Sequence, residues 1–452
     1  MRGGEVGTEV EHGTGNRTQH GGEPKPDVGD VGDVGDVGDR AIQGGGATEA
    51  EEVEWQFDAL DLRPVERWLA ALPSHAYGNG VPTLTVLTKQ PRRLVDHYVD
   101  TDDWRIARAG FVLRTRRRGR TVEATLKDMR PATADGLRQR LEVTQPLAGG
   151  VLAGLGNQGP VGRRVSAVAG RRPLVQMLEV RTRRVPFAVR AGGVEVAEIA
   201  LDDTAIVVGP KEAPARLCRV EVEVAGGWVE LLTGVVAHLR ESCGLRPATL
   251  SKFEAGLLAV GVSLPGSPDL GPTDVPPDAS MGRLAAAVLR RQLRELLAHE
   301  PGTRLGEDIE ELHDMRVATR RLRAAIDLFS SALPPRAQSL RRELGWLATE
   351  LGAVRDLDVQ LARMGRMTEW TSGWTGADRG VALAPLRALL ETERADARRA
   401  LLGALDSSRW DRLVSGLLTL ARQGDSRRVP ASRTAAVIAL PALVRERHAA
   451  VA

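Results

Sequence analysis

The sequence predicts an α+β protein in which a β-rich half precedes an all-helical half. Short segments with period-two alternation of apolar and polar residues recur through residues 50–262, which is typical of antiparallel strands. Apolar residues recur at helical spacing through residues 279–452. The Pro-rich stretch LPGSPDLGPTDVPP separates the two patterns. At 452 residues, the chain has room for two domains and a tail.

Composition indicates a protein of the reducing cytoplasm. The chain is 42% hydrophobic and 27% charged, which is enough to bury sizeable cores. Its two cysteines, Cys218 and Cys243, exclude a disulfide framework and a cysteine-rich zinc site. The N-terminus has no apolar signal-peptide segment, and no run reaches eighteen apolar residues. We therefore expect neither a secreted nor an integral membrane protein.

Charge is distributed unevenly along the chain. Residues 1–50 carry a net charge of −6, whereas residues 281–452 carry +7 with 28 arginines and no lysine. Such a basic helical surface indicates a polyanionic partner. The acidic N-terminus contains four VGD repeats within a Gly-rich stretch, a composition that cannot bury a core and predicts disorder.

These patterns divide the chain into four parts. They are a disordered Gly/Asp-rich tail (1–47), a β-rich domain (50–262), a Pro-rich linker (263–278) and a helical domain (279–452). The predicted strands are EVEWQF, FVLRTRRR, VEATLK, LRQRLEV, LEVRTRR, VEVAEIAL and CRVEVEV, and residues 227–243 and 251–260 are predicted helices. In the helical domain, helices are predicted at 281–298, 308–332, 338–364, 380–405 and 409–422.

One face of the predicted strands is charged again and again. Like charges alternate with apolar residues, as in the pairs Glu52 and Glu54, Arg114 and Arg116, and Glu221 and Glu223. Two geometries fit this pattern. Either an open sheet exposes the charges to solvent, or the sheet closes into a barrel with a charged lumen. The second explains why acids and bases cluster together, because carboxylates bind Mg²⁺ while Arg and Lys bind phosphate oxygens.

The order of the motifs resembles the CYTH family of triphosphate tunnel metalloenzymes. EVEWQF is similar to the ExExK strand of that family, and YVDTDDWRIARAGFVLRTR to its Tyr-x-Asp-Thr and Leu-Arg-x-Arg stretch. TLK, RQRLEV, Arg181 with Arg183, AEIALDD, EVEV and SKFEAG follow in the family's order over about 210 residues. The resemblance implies an antiparallel eight-stranded β-tunnel that binds triphosphate with Mg²⁺ or Mn²⁺.

The resemblance also implies roles for individual residues. Glu52 and Glu54 would be catalytic and metal-binding carboxylates. The implied phosphate ligands are Arg114, Arg116, Lys127, Arg140, Arg181, Arg183 and Lys252. The implied further metal-binding acids are Glu198, Asp202, Glu221 and Glu223. Lys127 and Lys252 are two of only five lysines beside 57 arginines.

The sequence departs from the family at Gln56, where the ExExK motif has its lysine. Glutamine keeps a hydrogen-bond donor but loses a charge beside the phosphates. A lost charge-assisted contact of this kind costs about 1.5–3 kcal/mol. We expect either slower turnover or a domain that binds without hydrolysis.

A basic stripe runs along one helix of the C-terminal half. In ELHDMRVATRRLRAAIDLF, His313, Arg316, Arg320 and Arg323 fall within an arc of about 80° at 100° per residue. The opposite face is apolar. Four cations so aligned repel one another unless they bind an anion, so the stripe is suited to successive phosphates.

HDMRVATRRLRAAIDLF and LGAVRDLDV (351–359) resemble a CHAD domain, a helical family implicated in binding inorganic polyphosphate. The resemblance adds Arg355 to the four anion contacts of the stripe. A full CHAD domain has two such halves, and the sequence reaches RERHAAVA without a second His/Arg helix. We therefore expect a truncated or degenerate domain whose exposed apolar face favours a homodimer.

Together these features predict metal-dependent binding and hydrolysis of inorganic triphosphate or short polyphosphate, with polyphosphate held by the helical domain. One alternative is a non-catalytic protein associated with polyphosphate granules. A second is a nucleotide cyclase or a thiamine-triphosphate phosphatase. Nucleic acid is not an expected partner, because aromatic residues make up only 3% of the chain and none interleaves the basic helix. A membrane is not expected either, because no run reaches eighteen apolar residues.

Overall fold

The computed structural model describes residues 46–72, 83–118, 121–150, 152–209, 213–264, 266, 268–371, 377–423 and 428–449. All but the last two residues of the predicted disordered tail lie outside these ranges.

Eight strands close into an antiparallel barrel. The strands of the N-terminal half are β1 (Thr48–Ala59), β2 (Leu84–Thr88), β3 (Arg92–Thr101), β4 (Phe111–Arg118), β5 (Thr121–Asp128), β6 (Leu137–Pro146), β7 (Leu174–Ala191), β8 (Val194–Ile206), β9 (Ala215–Val224) and β10 (Arg246–Pro247). The ring runs β1-β6-β5-β4-β3-β7-β8-β9 and closes where β9 pairs with β1. Strand β2 pairs with β7 and β10 with β1 beside this ring. The predicted eight-stranded tunnel is confirmed.

Helices cover the apolar outer face of the barrel. They are α1 (Arg63–Ala71), α2 (Arg105–Arg108), α3 (Gly159–Ala169), α4 (Val229–Cys243) and α5 (Lys252–Ala259). Trp55, Val220 and Val222 point outward and share a core with side chains of α1 and α4. Because side chains alternate along a strand, their neighbours Glu54, Glu221 and Glu223 point into the lumen.

Helix α5 closes one end of the barrel. Its Phe253 and Leu257 pack against inward-facing apolar residues of three strands, among them Leu178, Val180 and Ile206. A capping box at Ser251 and Glu254 fixes the start of the helix. We call this helix the α5 plug. Lys252, its first residue, is thereby held at the end of the plug that faces the lumen.

The C-terminal half is all-helical, as predicted. It contains α6 (Met281–Leu305), α7 (Ile309–Leu328), α8 (Arg336–Thr371), α9 (Ala377–Leu405), α10 (Ser408–Arg422) and α11 (Ala436–Ala449). Their apolar stripes meet in one core that includes Leu293, Leu322 and Leu347. Ser280, Asp308 and Ser407 cap the starts of α6, α7 and α10. Among the helices the structure describes, none has the length and apolar character that a membrane crossing requires.

The segment between the two halves packs on the helical domain. Leu270 is buried in the helical core, and Arg290 and Arg294 of α6 donate to the carbonyls of Pro272 and Gly271. Leu305 at the end of α6 packs against the core beneath α3. The Pro-rich segment therefore has a defined course, and the helical half lies directly against the barrel.

Candidate functional site

The lumen of the barrel is lined with charged side chains from all eight strands of the ring and from α5. They are Glu52, Glu54, Asp96, Arg114, Arg116, Lys127, Arg140, Glu142, Arg184, Glu198, Asp202, Glu221, Glu223 and Lys252. Half of these side chains are buried and the others are only partly exposed, so the charges must be balanced largely within the lumen.

One cluster, the Lys127 cluster, joins β1, β5 and β6. Lys127 Nζ donates to Glu52 at 2.7 Å and lies 2.5 Å from Glu142. Arg140 donates to Glu52 at 3.1 Å and also to Glu54. Burial opposes ionisation of Glu142, but the charges of Lys127 and Arg114 prevail and lower its pKa to about 2. Each cation here lies between two carboxylates.

A second cluster, the Arg184 cluster, lies where β7, β8 and β9 meet α5. Arg184 donates to Asp202 at 2.9 Å and to Glu221. Lys252 donates to the same two carboxylates, at 2.7 Å to Glu221. Despite the opposing effect of burial, these two cations lower the pKa of both acids. Nearby, Arg116 forms a two-point ion pair with the buried Asp96, at 2.6 and 2.8 Å.

Three acids occupy neighbouring strands at the same level of the lumen. Glu223 of β9 is the register partner of Glu54 on one side and of Glu198 on the other. Directly opposite residues of antiparallel strands lie about 4.5–5.5 Å apart. Burial, followed by the charge of Glu52, raises the pKa of Glu54 and raises that of Glu223 to about 8. We call Glu54, Glu223 and Glu198 the acidic row.

The acidic row has the chemistry of a site for a hard divalent cation. Carboxylate oxygens are preferred ligands of Mg²⁺ and Mn²⁺. Glu54 and Glu223 are ionised only against the repulsion of neighbouring acids, which a cation would relieve. In the described ranges, no group of three or more His, Cys, Asp or Glu side chains is already arranged around a metal position. The carboxylate donors of the acidic row thus fit a divalent cation in kind, and binding of the cation would draw these side chains closer together.

Gln56 lines the tunnel, as its place in the motif predicts. The side chain is 3% exposed, and its amide nitrogen donates to Glu54 at 2.8 Å. Its carbonyl oxygen is buried and forms no hydrogen bond. Glu221 is its register partner on β9. A charged group at position 56 would therefore face the acidic side chains of both clusters.

The expected tunnel placement of Arg181 and Arg183 is corrected by the structure. Both lie on the outer face of β7, where Arg181 is 65% exposed and pairs with Glu179. The next arginine, Arg184, points inward instead. The reason is α5. Its apolar side chains pack against Leu178 and Val180 on the inner face of β7, so in this stretch the apolar residues face inward and the polar residues face outward.

Sequence reasoning did not assign three further lumen residues. Asp96 and Glu142 face the lumen on β3 and β6, opposite the arginines and lysine described above. Lys89, just after β2, donates to Glu195 at 2.9 Å and to Glu198 at 3.0 Å. The scarcity of lysine was a signal for Lys89, whereas the partners of Asp96 and Glu142 depend on register.

The basic stripe of α7 lies against α8. Arg316 and Arg323 approach Gly352 and Gly345, which are one heptad apart on α8. Arg320 is exposed, and His313 is half-buried. Among the described residues, ion pairs of this helix join Asp327 to Arg341, Glu310 to Arg355, at 3.5 Å in the second case, and Glu311 and Asp314 to His299. The four stripe residues take part in none of them, whereas Arg355 is partly neutralised.

Comparison with known families agrees with the motifs. A model of the CYTH domain matches residues 72–256, and a model of the CHAD domain matches residues 287–452. This chain carries a CYTH domain followed by a CHAD domain. A search of curated proteins found no match.

Solved structures resemble each domain. HpAC1 from Hippeastrum, described as having a dominant triphosphatase activity, is 17% identical over 47% of this chain and 98% of its own, with a TM-score of 0.35. PptA from Streptomyces chartreusis is 27% identical over 37% of this chain and 58% of its own, with a TM-score of 0.32. The CHAD domain from Ricinus communis is 32% identical over 34% of this chain and 52% of its own, with a TM-score of 0.27. The match thus spans little more than half the length of the last two structures.

The acidic row predicts a specific pH dependence of stability. The pKa of Glu223 is about 8 in the folded CYTH domain against an ordinary 4.5. Between these values the unfolded chain has lost a proton that the folded domain keeps, so the free energy of unfolding falls as pH rises. Glu223→Gln has no such proton to lose. We therefore expect the free energy of unfolding of Glu223→Gln, relative to that of the unmodified protein, to be higher at pH 8.5 than at pH 5. Urea denaturation at both pH values, in the presence of a chelator, measures this difference.

Glu230→Gln, at an exposed position of α4, removes the same charge from the surface and is the control. A Glu223→Gln effect that is equal at both pH values would contradict the burial of Glu223 among acids.

Proposed function

We propose that the CYTH domain binds inorganic triphosphate or short polyphosphate together with Mg²⁺ or Mn²⁺ and hydrolyses a terminal phosphoanhydride. The observation that supports this most is the alternation of largely buried cations with carboxylates around one lumen, at Lys127, Arg140, Arg184 and Lys252. A closed, charged lumen of this kind suits a ligand that is charged along its whole length.

The cations of the two clusters would hold the phosphates. Lys127, Arg140, Arg184 and Lys252 each contact two carboxylates, so each has hydrogen-bond donors directed at the lumen. Arg114 lies 3.9 Å from Asp96, a looser contact than that of Arg116. Arg114 can therefore turn to a phosphate oxygen more readily, while Arg116 stays paired with Asp96 and keeps that carboxylate in place.

The carboxylates would position the attacking water and the metal. Glu54 and Glu223, with Glu52 and Glu198 beside them, would hold the divalent cation, which when bound neutralises phosphate oxygens and favours phosphoryl transfer. Glu52 accepts from both Lys127 and Arg140, so its orientation is fixed. If phosphates take over these two cations, Glu52 is released to orient a water molecule in line with the terminal phosphorus.

The CHAD domain would hold longer polyphosphate along the basic stripe of α7. The absence of acidic partners for Arg316, Arg320 and Arg323 within the described residues supports this role. Because the CHAD domain lies directly against the barrel, it would hold the chain near the CYTH domain. We place the protein in the cytoplasm, at polyphosphate granules.

In the tunnel, we assign Asp202 and Glu221 to orienting Arg184 and Lys252 rather than to the metal.

A non-catalytic polyphosphate-binding protein is the second candidate, because Gln56 replaces a lysine beside Glu54. The two candidates differ in whether the lumen turns its ligand over.

A phosphate-release assay separates them. We expect the purified protein to release phosphate from tripolyphosphate with Mg²⁺ or Mn²⁺, and Glu52→Ala or Glu54→Ala to abolish the release. Arg184→Gln removes one charge-assisted contact, worth about 1.5–3 kcal/mol, and should lower kcat/KM about 10- to 100-fold. Arg181→Gln, on the outer face of the same strand, is the matched control and should stay within about twofold.

Folded protein that binds tripolyphosphate in calorimetry without releasing phosphate would favour the non-catalytic candidate. Release of phosphate from thiamine triphosphate in preference to tripolyphosphate would instead indicate the thiamine-triphosphate phosphatase. Conversion of ATP to a cyclic nucleotide with release of pyrophosphate would indicate the cyclase.

Gln56→Lys tests the departure from the motif. A lysine would place a charge beside the phosphates and also satisfy Glu54, which now accepts from the Gln56 amide. We expect tripolyphosphate affinity or turnover to rise about tenfold or more, as a charge-assisted contact is restored. The isosteric Gln56→Met removes the donor and should act in the opposite direction. No change in either variant would show that the ligand does not reach position 56.

The stripe of α7 is tested by charge reversal. Arg320→Glu with Arg323→Glu should weaken binding of long-chain polyphosphate by about 1–2 kcal/mol per lost contact at low salt, and by less at high salt. Arg321→Glu with Arg336→Glu makes the same charge change at exposed positions off the stripe and is the control. Filter binding of labelled polyphosphate at several salt concentrations measures both.

Duplex DNA should compete poorly, because its phosphates follow a stiff helix whereas polyphosphate is flexible and more densely charged. If the control pair weakens binding as much as the stripe pair, the CHAD domain binds polyanions through net charge alone.

A further inference from the structure

Asp406, in the turn between α9 and α10 of the CHAD domain, joins the two domains. Its carboxylate accepts from Arg105 of the CYTH domain at 3.1 Å and from Arg304 of α6 at 2.7 Å. Arg105 also donates to the carbonyl of Ala169, at 3.0 Å. Arg304 is 1% exposed. The carboxylate therefore neutralises two guanidinium groups in a contact that is largely removed from water.

The two surfaces fit closely at this point. A Cβ atom on Gly170, at the end of α3, would come within 2.2 Å of the Asp406 carboxylate. Arg108 of α2 reaches Glu300 of α6, at 3.4 Å. Helix α2 is thus fastened to the CHAD domain at both ends, through Arg105 and Arg108.

Trp104, the residue before Arg105, has an unusual backbone conformation. Its φ of 59° and ψ of 40° make it the one non-glycine residue with positive φ in the described ranges. Residues other than Gly, Asn and Asp rarely adopt this conformation, so the surroundings must hold it. Its neighbour Arg105 is held by Asp406, and its own N–H donates to the carbonyl of Thr101 at 3.0 Å.

The Trp104 ring reaches the plug of the tunnel. Its centroid lies 6.5 Å from that of Phe253, which also contacts Tyr98 at 5.1 Å. Phe253 follows Lys252 directly, and Lys252 donates to Asp202 and Glu221 in the lumen. A continuous series of contacts therefore leads from Asp406 through Arg105, Trp104 and Phe253 to Lys252.

We propose that Trp104 is a positioning residue through which docking of the CHAD domain holds the α5 plug, and with it Lys252, in the tunnel. The CHAD domain thereby completes the CYTH site as well as binding its own ligand. Glu307 offers a contrast, because it also pairs across the domains, with Arg164 of α3 at 2.6 Å, but it contacts neither of the α2 arginines, Arg105 and Arg108.

Hydrogen exchange of the full chain tests the coupling without any ligand. In Trp104→Asn the ring is lost while asparagine tolerates the left-handed backbone, so the variant separates the ring contact from backbone strain. We expect α5 amides to exchange about tenfold faster in Trp104→Asn and in Asp406→Asn, with α4 unchanged. Trp104→Phe keeps an aromatic ring and should retain most of the protection. Glu307→Gln, the matched interface control, should leave α5 as in the unmodified protein.

A double-mutant cycle tests the effect on the site and rests on the proposed function. Trp104→Asn should raise the KM for tripolyphosphate several-fold in the unmodified background. If Trp104 acts through Lys252, the same change should have little further effect in a Lys252→Met background.

The outcomes separate the two proposals. If the unmodified protein neither binds nor hydrolyses tripolyphosphate, the proposed function is wrong, and hydrogen exchange still decides the coupling. Unchanged α5 exchange in folded Trp104→Asn would overturn the coupling, and so would acceleration spread equally over α4 and α5. Additive effects of Trp104→Asn and Lys252→Met would overturn the role of Trp104 in positioning Lys252.

Discussion

Charge balance inside a closed barrel is the constraint on which the rest of this structure depends. Closure buries charged side chains that an open sheet would leave in water, and a buried charge without a partner costs several kcal/mol. Lys127 and Lys252 each contact two carboxylates, and Arg184 does the same. The side chains suited to a polyanion therefore also hold the strands around the lumen together. In the lumen, the residues suited to bind a ligand are the same residues that stabilise the fold.

Much of this architecture could be predicted from the sequence. The charged alternation at Glu52 and Glu54 gave the inner face of β1 correctly, since Trp55 and Phe57, at the alternate positions of the strand, are buried under helices. The basic stripe of α7 was visible because helical spacing fixes which residues share a face. The helices α1, α3 and α11 and the strands β2 and β3 were not predicted as elements, because short or irregular segments give weak periodicity.

The errors at the site have one physical origin. Alternation tells which residues of a strand share a face, but the direction of that face depends on what packs against it. On β7 the inner face is apolar under α5, so Arg184 was missed and Arg181 and Arg183 were chosen instead. The resemblance named the three acids of the acidic row as metal-binding residues, but the sequence did not show that they lie side by side. The row exists because Glu54, Glu223 and Glu198 share a register across three strands that are distant in sequence.

The Pro-rich segment was expected to be a linker, and a linker favours independent domains. The structure instead packs that segment on α6 and buries Arg304 at the domain contact. A rigid attachment changes how the CHAD domain can contribute to the proposed activity. A flexible tether raises only the local concentration of a polyphosphate chain. A fixed attachment can also couple the positions of the two domains. The left-handed Trp104 lies between the domain contact at Arg105 and the α5 plug, where such coupling would act.

The same charge balance links ligand and metal in the proposed reaction. A phosphate oxygen that takes Lys127 or Arg140 from Glu52 and Glu54 leaves those carboxylates with less positive charge around them. Glu223 already faces Glu54 with a pKa raised to about 8, so the acidic row cannot absorb further unbalanced charge. A divalent cation entering with the phosphates supplies what the protein cations no longer provide. Anion and metal are therefore expected to bind the CYTH domain cooperatively, because each removes the electrostatic cost of the other.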